Sequence, residues 1–147
     1  SKWLRPSPES APTDSKAAGL YMICSLSKHE AEKLGFDDAL MLDYRGYVAE
    51  ATGANIFFVK GNELFTPIAD CFLNGITRQT VIQIAQENKI KVHEKHFKLN
   101  FLKTCDEVFL TGTAVEITPV SCIKDLNFED RKLTKFLMSQ FKKKVTT

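Results

Sequence analysis

Apolar residues first recur at helical spacing through Ala17, Leu20, Tyr21, Cys24, Ala31 and Leu34. That period puts one greasy stripe on a helix from about Ser15 to Leu34, capped by Thr13 or Asp14 and stopped by Gly35. Upstream, Pro6, Pro8 and Pro12 alternate with Ser7, Ser10, Thr13 and Ser15. Proline has no backbone N–H to pair, so residues 1–15 read as an interdomain linker without regular pairing. Residues 16–147 then form the domain proper.

After Gly35 the period shortens to that of strands. Asp38–Tyr44, Tyr47–Glu50 and Asn55–Lys60 are predicted strands, with Arg45-Gly46 turning between the first two. Gly61-Asn62 turns the third into Glu63–Pro67. A second helix is predicted over Thr77–Lys89, with Val81, Ile82, Ile84 and Ala85 on its apolar side, followed by a short strand at Ile90–His93. A brief helical segment covers Leu99–Thr104. Two further strands, Glu107–Thr111 and Val115–Ile123, are split by Gly112-Thr113-Ala114. The last helix, Phe128–Lys144, turns Leu133, Phe136, Leu137 and Phe141 inward. Helices alternating with hairpin-linked strands predict an α/β or α+β domain with a mixed sheet, not a regular doubly wound one.

Composition narrows the class. A chain of 147 residues is the size of one domain, and 44% hydrophobic with 26% charged residues is the balance of a soluble globular protein. The net charge of +2 gives no electrostatic case for nucleic acid. Cys24, Cys71, Cys105 and Cys122 are far apart in sequence, with no CxxC or Cys/His pair at zinc spacing. They read as reduced thiols of a cytoplasmic protein, and no metal is expected. No apolar run approaches the ~18 residues of a membrane span, and the N-terminus lacks the apolar block of a signal peptide.

Four features could carry chemistry. Lys16 falls in the first turn of a helix among Ala17, Ala18 and Gly19, where the helix dipole disfavours its cation and favours a neutral, nucleophilic amine. Glu50 ends a strand beside the small-residue loop Ala51-Thr52-Gly53-Ala54, which lets a flat ligand approach closely. Asn74-Gly75-Ile76-Thr77 opens a helix, with free backbone N–H groups and the Thr77 hydroxyl as N-cap, and suits an anion. Leu110-Thr111-Gly112-Thr113-Ala114 is a second candidate anion nest. Singly, each is equally a solvated lysine, a surface glutamate, an ordinary cap and a turn. Together, an amine, a carboxylate and two anion nests are what a phosphorylated pyridine cofactor requires.

Longer stretches carry a family resemblance. They are Trp3 with its proline-rich lead into Ser15-Lys16-Ala17-Ala18-Gly19-Leu20-Tyr21, then Gly46-Tyr47-Val48-Ala49-Glu50, Asn55-Ile56-Phe57 and Gly75-Ile76-Thr77-Arg78. Asp106-Glu107-Val108-Phe109 and Thr111-Gly112-Thr113-Ala114-Val115-Glu116-Ile117-Thr118-Pro119-Val120 follow in family order. The chain resembles the C-terminal large domain of the fold-type IV pyridoxal-phosphate enzymes, most closely the bacterial branched-chain amino acid aminotransferases.

The resemblance implies pyridoxal 5'-phosphate as cofactor, carried as a Schiff base on Lys16, which also shuttles the proton at the substrate carbon. It implies Glu50 at the pyridine nitrogen, Tyr21 near the phenolic oxygen and Leu73 against the ring. Gly75, Ile76 and Thr77 belong to the helix start that holds the phosphate, with Thr113 a second phosphate contact, and the amides of Thr113 and Ala114 receive the substrate carboxylate. The implied reaction moves an amino group between Leu, Ile or Val and 2-oxoglutarate. D-amino acid aminotransferase and aminodeoxychorismate lyase are the alternatives in the family, and a non-catalytic structural or interaction domain is the alternative outside it. Two departures are small: Asn74 stands where proline is usual, and the loop after Glu50 reads Ala51-Thr52-Gly53-Ala54. A larger one is that nothing matches the family's N-terminal small domain. The expectation is a fragment, weakly active or inactive alone, from a homodimer or larger assembly.

Overall fold

In a computed structural model, residues 1–9 and 18–146 are described, with the backbone alone for 18–21. The cap expected at Thr13 or Asp14 lies outside them. The chain begins with β1 (Leu4–Arg5), which runs parallel to β2 (Leu40–Asp43) through the pairs Leu4–Leu42 and Arg5–Asp43. Regular pairing therefore does occur within the stretch read as a linker. It uses the two residues before Pro6, where the N–H groups are still present.

Helix α1 (Ala18–Lys33) ends as its pattern requires. Gly35 has φ +89°, and the Phe36 N–H turns back to the Ala31 carbonyl at 3.0 Å, closing the last turn. β2 and β3 (Val48–Ala51) form an antiparallel pair around the Arg45-Gly46 turn, completing a three-stranded sheet in the order β1-β2-β3.

A larger five-stranded sheet follows, in the order β6-β5-β4-β7-β8. Its members are β4 (Asn55–Lys60), β5 (Glu63–Pro67), β6 (Val92–Lys95), β7 (Glu107–Gly112) and β8 (Glu116–Pro119). Only β5 and β6 are parallel, joined through α2 (Ile76–Glu87), so the sheet is mixed as expected. β4 reads as a continuous apolar run because both its faces are covered. Phe57 and Val59 pack with Leu64, Val81, Ile84, Phe109, Leu137 and Phe141 beneath the helices. Ile56 and Phe58 pack the other way, with Val48, Phe97, Leu102, Val108 and Phe128. Each such side chain withdrawn from water contributes about 1.5–3 kcal/mol, so β4 is the seam of two cores.

The C-terminal third departs from the sequence pattern in three places. The strand expected over Val115–Ile123 is broken: β8 ends at Pro119, and β9 (Cys122–Ile123) forms its own hairpin with β10 (Leu126–Asn127). Lys124, at φ +52°, makes that hairpin turn. Phe128 is buried but precedes the last helix, α3 (Lys132–Thr146). Finally, Phe136 is exposed and Thr134 takes an inward position beside Leu137 and Phe141. The Glu107 carboxylate sets that rotation, accepting the Leu133 N–H at 3.1 Å and the Thr134 N–H at 2.9 Å.

Candidate active site

Glu50 lies on β3, where every residue is buried. A charged residue in such a strand needs a partner. Its partner is Arg5, whose Nε lies 3.3 Å from Glu50 Oε1. Among the described residues no hydrogen-bond donor serves the Glu50 carboxylate beyond this ion pair, so an acceptor stands open in a nearly dry setting. Burial is the main cause that pushes the Glu50 carboxyl up to about 8; Arg5 pulls it down and Asp38 adds to the rise. A cationic N–H reaching this oxygen would satisfy it and hold it ionised.

The strand leaves Glu50 through a tight turn of small residues. The Ala51 N–H donates to the Ala54 carbonyl at 2.9 Å, and Asp38 Oδ1 accepts from both the amide and the hydroxyl of Thr52. Asn55 then starts β4 with its side chain aimed at a different loop. Its Nδ2 donates to the Leu73 carbonyl at 3.0 Å, and its Oδ1 accepts the Gly75 N–H at 3.3 Å.

That loop opens α2. Gly75 is the N-cap, in extended conformation, and no side chain caps the helix; the hydroxyl of Thr77, the second helical residue, is not the N-cap that the sequence suggested. The first intrahelical bond is that of the Gln79 N–H to the Gly75 carbonyl at 3.1 Å, so the amides of Ile76, Thr77 and Arg78 precede the helical ladder. Such amides and the helix dipole favour an anion. Arg78 fastens the loop from beneath. It is fully buried, with Nη1 donating to Asn74 Oδ1 at 2.8 Å and Nη2 to the Pro67 carbonyl at 3.0 Å and Glu94 Oε1 at 2.7 Å.

The third loop is the turn through Thr113, Ala114 and Val115 that joins β7 to β8. Gly112 leads into it, and a Cβ there would meet the Gly53 carbonyl oxygen and Val115 Cγ2, each at 3.3 Å. The turn after Glu50 and the turn bearing Thr113 and Ala114 therefore abut. The Asn55–Thr111 pairing of β4 with β7 sets both beside the α2 loop, and Thr111 Oγ1 is buried without a partner.

Glu50 on β3, Leu73 and Gly75 in the loop before α2, Ile76 and Thr77 in the first turn of α2, and Thr113 and Ala114 in the β7–β8 turn thus lie on neighbouring segments. Lys16 and the side chain of Tyr21 lie outside the described residues. Sequence reasoning gave no role to Arg5, Asn55 or Arg78. All three fall within or between the residues of matching stretches, Arg5 in the lead from Trp3 to Ser15, and that was their only signal.

Residues 1–123 match the family described as amino-transferase class IV. The chain belongs to that family. It is 45% identical over 149 residues to a probable branched-chain-amino-acid aminotransferase of Rickettsia conorii, covering 99% of this chain and 51% of that protein. The branched-chain amino acid aminotransferase from Escherichia coli superposes with a TM-score of 0.92 at 39% identity, covering 96% of this chain and 49% of the other. An aminotransferase from Brucella abortus bound to the cofactor PLP superposes at 0.95 and 34% identity, covering 100% and 53%. The fold is accordingly that of the class IV aminotransferases. The chain spans about half the length of these relatives. No described helix is long and apolar enough to cross a membrane.

Proposed function

We propose that the chain is the cofactor-bearing half of a branched-chain amino acid aminotransferase, exchanging amino groups between Leu, Ile or Val and 2-oxoglutarate on pyridoxal 5'-phosphate. The observation that carries this reading is the open Glu50 acceptor beside two anion-suited loops, in a chain whose relatives bear that activity in their names. The residues fit the group: a carboxylate for the ring nitrogen, and a helix start at Gly75–Thr77 with the Thr113 turn for the phosphate.

When bound, the cofactor supplies a ring that withdraws electrons from the substrate carbon. Glu50 keeps the ring nitrogen protonated. Leu73 and the small loop 51–54 bound the flat faces. The Ile76 and Thr77 amides and the Thr113 hydroxyl anchor the phosphate, and the Thr113 and Ala114 amides receive the substrate carboxylate. The Lys16 amine holds the cofactor, then takes the proton from the substrate carbon and returns it to the acceptor. A small domain of the length found in the relatives covers the open side, and the working unit is a homodimer or larger. The unpaired thiols of Cys24, Cys71, Cys105 and Cys122 suit a reducing, cytoplasmic setting for branched-chain amino acid biosynthesis.

The test is chemical labelling. The 147-residue chain is mixed with excess pyridoxal phosphate, reduced with borohydride and digested. Label is expected first on Lys16 and lost in Lys16→Ala; label spread evenly over the other lysines would overturn the assignment.

A further inference from the structure

Arg5 is held from three sides. β1 pairs it with Asp43 on β2, its Nε donates to the Cys71 carbonyl at 3.1 Å, and its Nη1 lies 3.8 Å from Cys24 Sγ on α1. It is 4% exposed, and the carboxylate it faces, at 3.3 Å, is Glu50. The Cys71 support is itself pinned. Arg45 Nη2 approaches Cys71 Sγ at 3.4 Å while binding Asp43 Oδ2 at 2.8 Å and Asp70 Oδ1 at 2.9 Å. The guanidinium of Arg5 therefore sits at a point fixed by β2, by the turn at 70–71 and by α1.

We infer that Arg5 is a positioning residue: its guanidinium holds Glu50 in place and favours its ionised form, so that the carboxylate is completed when the ring N–H of the cofactor reaches it. The inference rests on the reading proposed above for Glu50 and adds a residue to it. The physical need is plain. Burial and Asp38, from the segment before β2, both favour a neutral Glu50, and Cys24 on α1 brings no compensating charge. A neutral carboxylic acid accepts a ring N–H poorly. Arg5, on β1, is the cation that opposes them. Arginine suits this post because it stays charged when buried: its Nε–H is given to the Cys71 carbonyl at 3.1 Å while the same Nε lies 3.3 Å from Glu50 Oε1, so the carboxylate feels the cation as a neighbouring charge. Arg5 acts through Glu50 and needs no contact with substrate.

The experiment follows the Glu50 side-chain carboxyl by 13C NMR in the 147-residue chain, the resonance being assigned by its loss in Glu50→Gln. In Arg5→Gln the Glu50 midpoint should rise by about one pH unit or more, the size expected for losing an adjacent guanidinium, and Arg5→Lys should restore part of the shift. An unmoved midpoint in folded Arg5→Gln overturns the role. If Arg5→Gln does not fold, the wild-type Arg5 15Nε resonance gives the answer. It should titrate with the Glu50 midpoint and cease to do so in Glu50→Gln; an Nε signal blind to Glu50 overturns the inference. A third arm adds pyridoxal phosphate to wild type and Glu50→Gln. A cofactor absorbance band indifferent to Glu50→Gln overturns the ring-nitrogen reading and this inference with it. A band sensitive to Glu50→Gln, with a Glu50 midpoint indifferent to Arg5, overturns the inference alone.

Discussion

Asn55 Oδ1 stands where a side chain on residue 75 would begin: a Cβ on Gly75 would lie 2.7 Å from it. The same oxygen accepts the Gly75 N–H, while Asn55 Nδ2 holds the Leu73 carbonyl. One side chain on β4 thereby sets the entry of the chain into α2, and the missing Cβ is what lets it come so close.

Asn55→Ala should leave the Leu73 carbonyl and the Gly75 N–H without partners in a half-buried loop. The expected loss is about 1–3 kcal/mol of folding stability, the cost of orphaned polar groups. Urea unfolding measures it, and borohydride labelling of Lys16 should weaken in parallel because the anion-binding amides lose their fixed geometry. A variant as stable as wild type would show that the loop holds its shape without Asn55.

Stability should carry a pH signature from Glu50. Its folded-state value is raised from 4.5 to about 8, so the folded protein holds a proton that the unfolded chain has released. Between those two values stability falls as pH rises, at up to roughly 1.4 kcal/mol per pH unit, and it is fully present only below the lower one. Glu50→Gln removes this slope, so its stability relative to wild type should improve from pH 5.5 toward pH 8, read from urea midpoints. Parallel profiles for the two proteins would contradict the burial argument.

Glu107→Gln should loosen α3. The carboxylate accepts two amides at the helix start, and replacing one oxygen by an NH₂ group leaves one amide facing a donor. The cost should be about 1–2 kcal/mol, in the range of a lost helix cap. Thermal unfolding should register it, with no change in which lysine is labelled. A shift in labelling would mean that α3 bears on the cofactor loops.

The chain by itself should bind pyridoxal phosphate weakly and transaminate almost not at all. Thr113, Ala114 and Ile76 are exposed, so the hydrogen bonds they offer a phosphate compete with water, and none of the three brings a charge to it. Absorbance titration and an amino-transfer assay check this. Adding as a separate chain the segment that precedes the matched half in the Rickettsia conorii relative should raise both readings. Tight stoichiometric binding with rapid turnover by the 147-residue chain alone would show the open face to be sufficient.

Local pattern determined more of this protein than its topology. The stop at Gly35, the Arg45-Gly46 turn and the two-faced apolar run of β4 all follow from periodicity and backbone freedom, which act within a few residues; the stripe of the first helix holds at Cys24 and Ala31, but Leu34 lies beyond α1 and is exposed. Glu50 beside a small-residue loop and a helix opening after Asn74-Gly75 were legible for the same reason, since both are local signals, although the cap is Gly75 and not the Thr77 hydroxyl that was expected. The tertiary structure alone decided the rest. Phe136 was read as inward because its spacing allows it, yet the carboxylate of Glu107, from a distant strand, caps α3 in a rotation that buries Thr134 instead. The Val115–Ile123 run looked like one strand because apolar content does not reveal where a strand changes partner; after Pro119 only the Val120 N–H still reaches β7, at the Val108 carbonyl, and Cys122–Ile123 pairs with Leu126–Asn127 instead. Arg5 looked like linker because a buried charge is paid for by groups far along the chain, here Glu50 and the Cys71 carbonyl. Long-range electrostatic pairing leaves no periodic mark on a sequence, and that is why this residue emerged only from the fold.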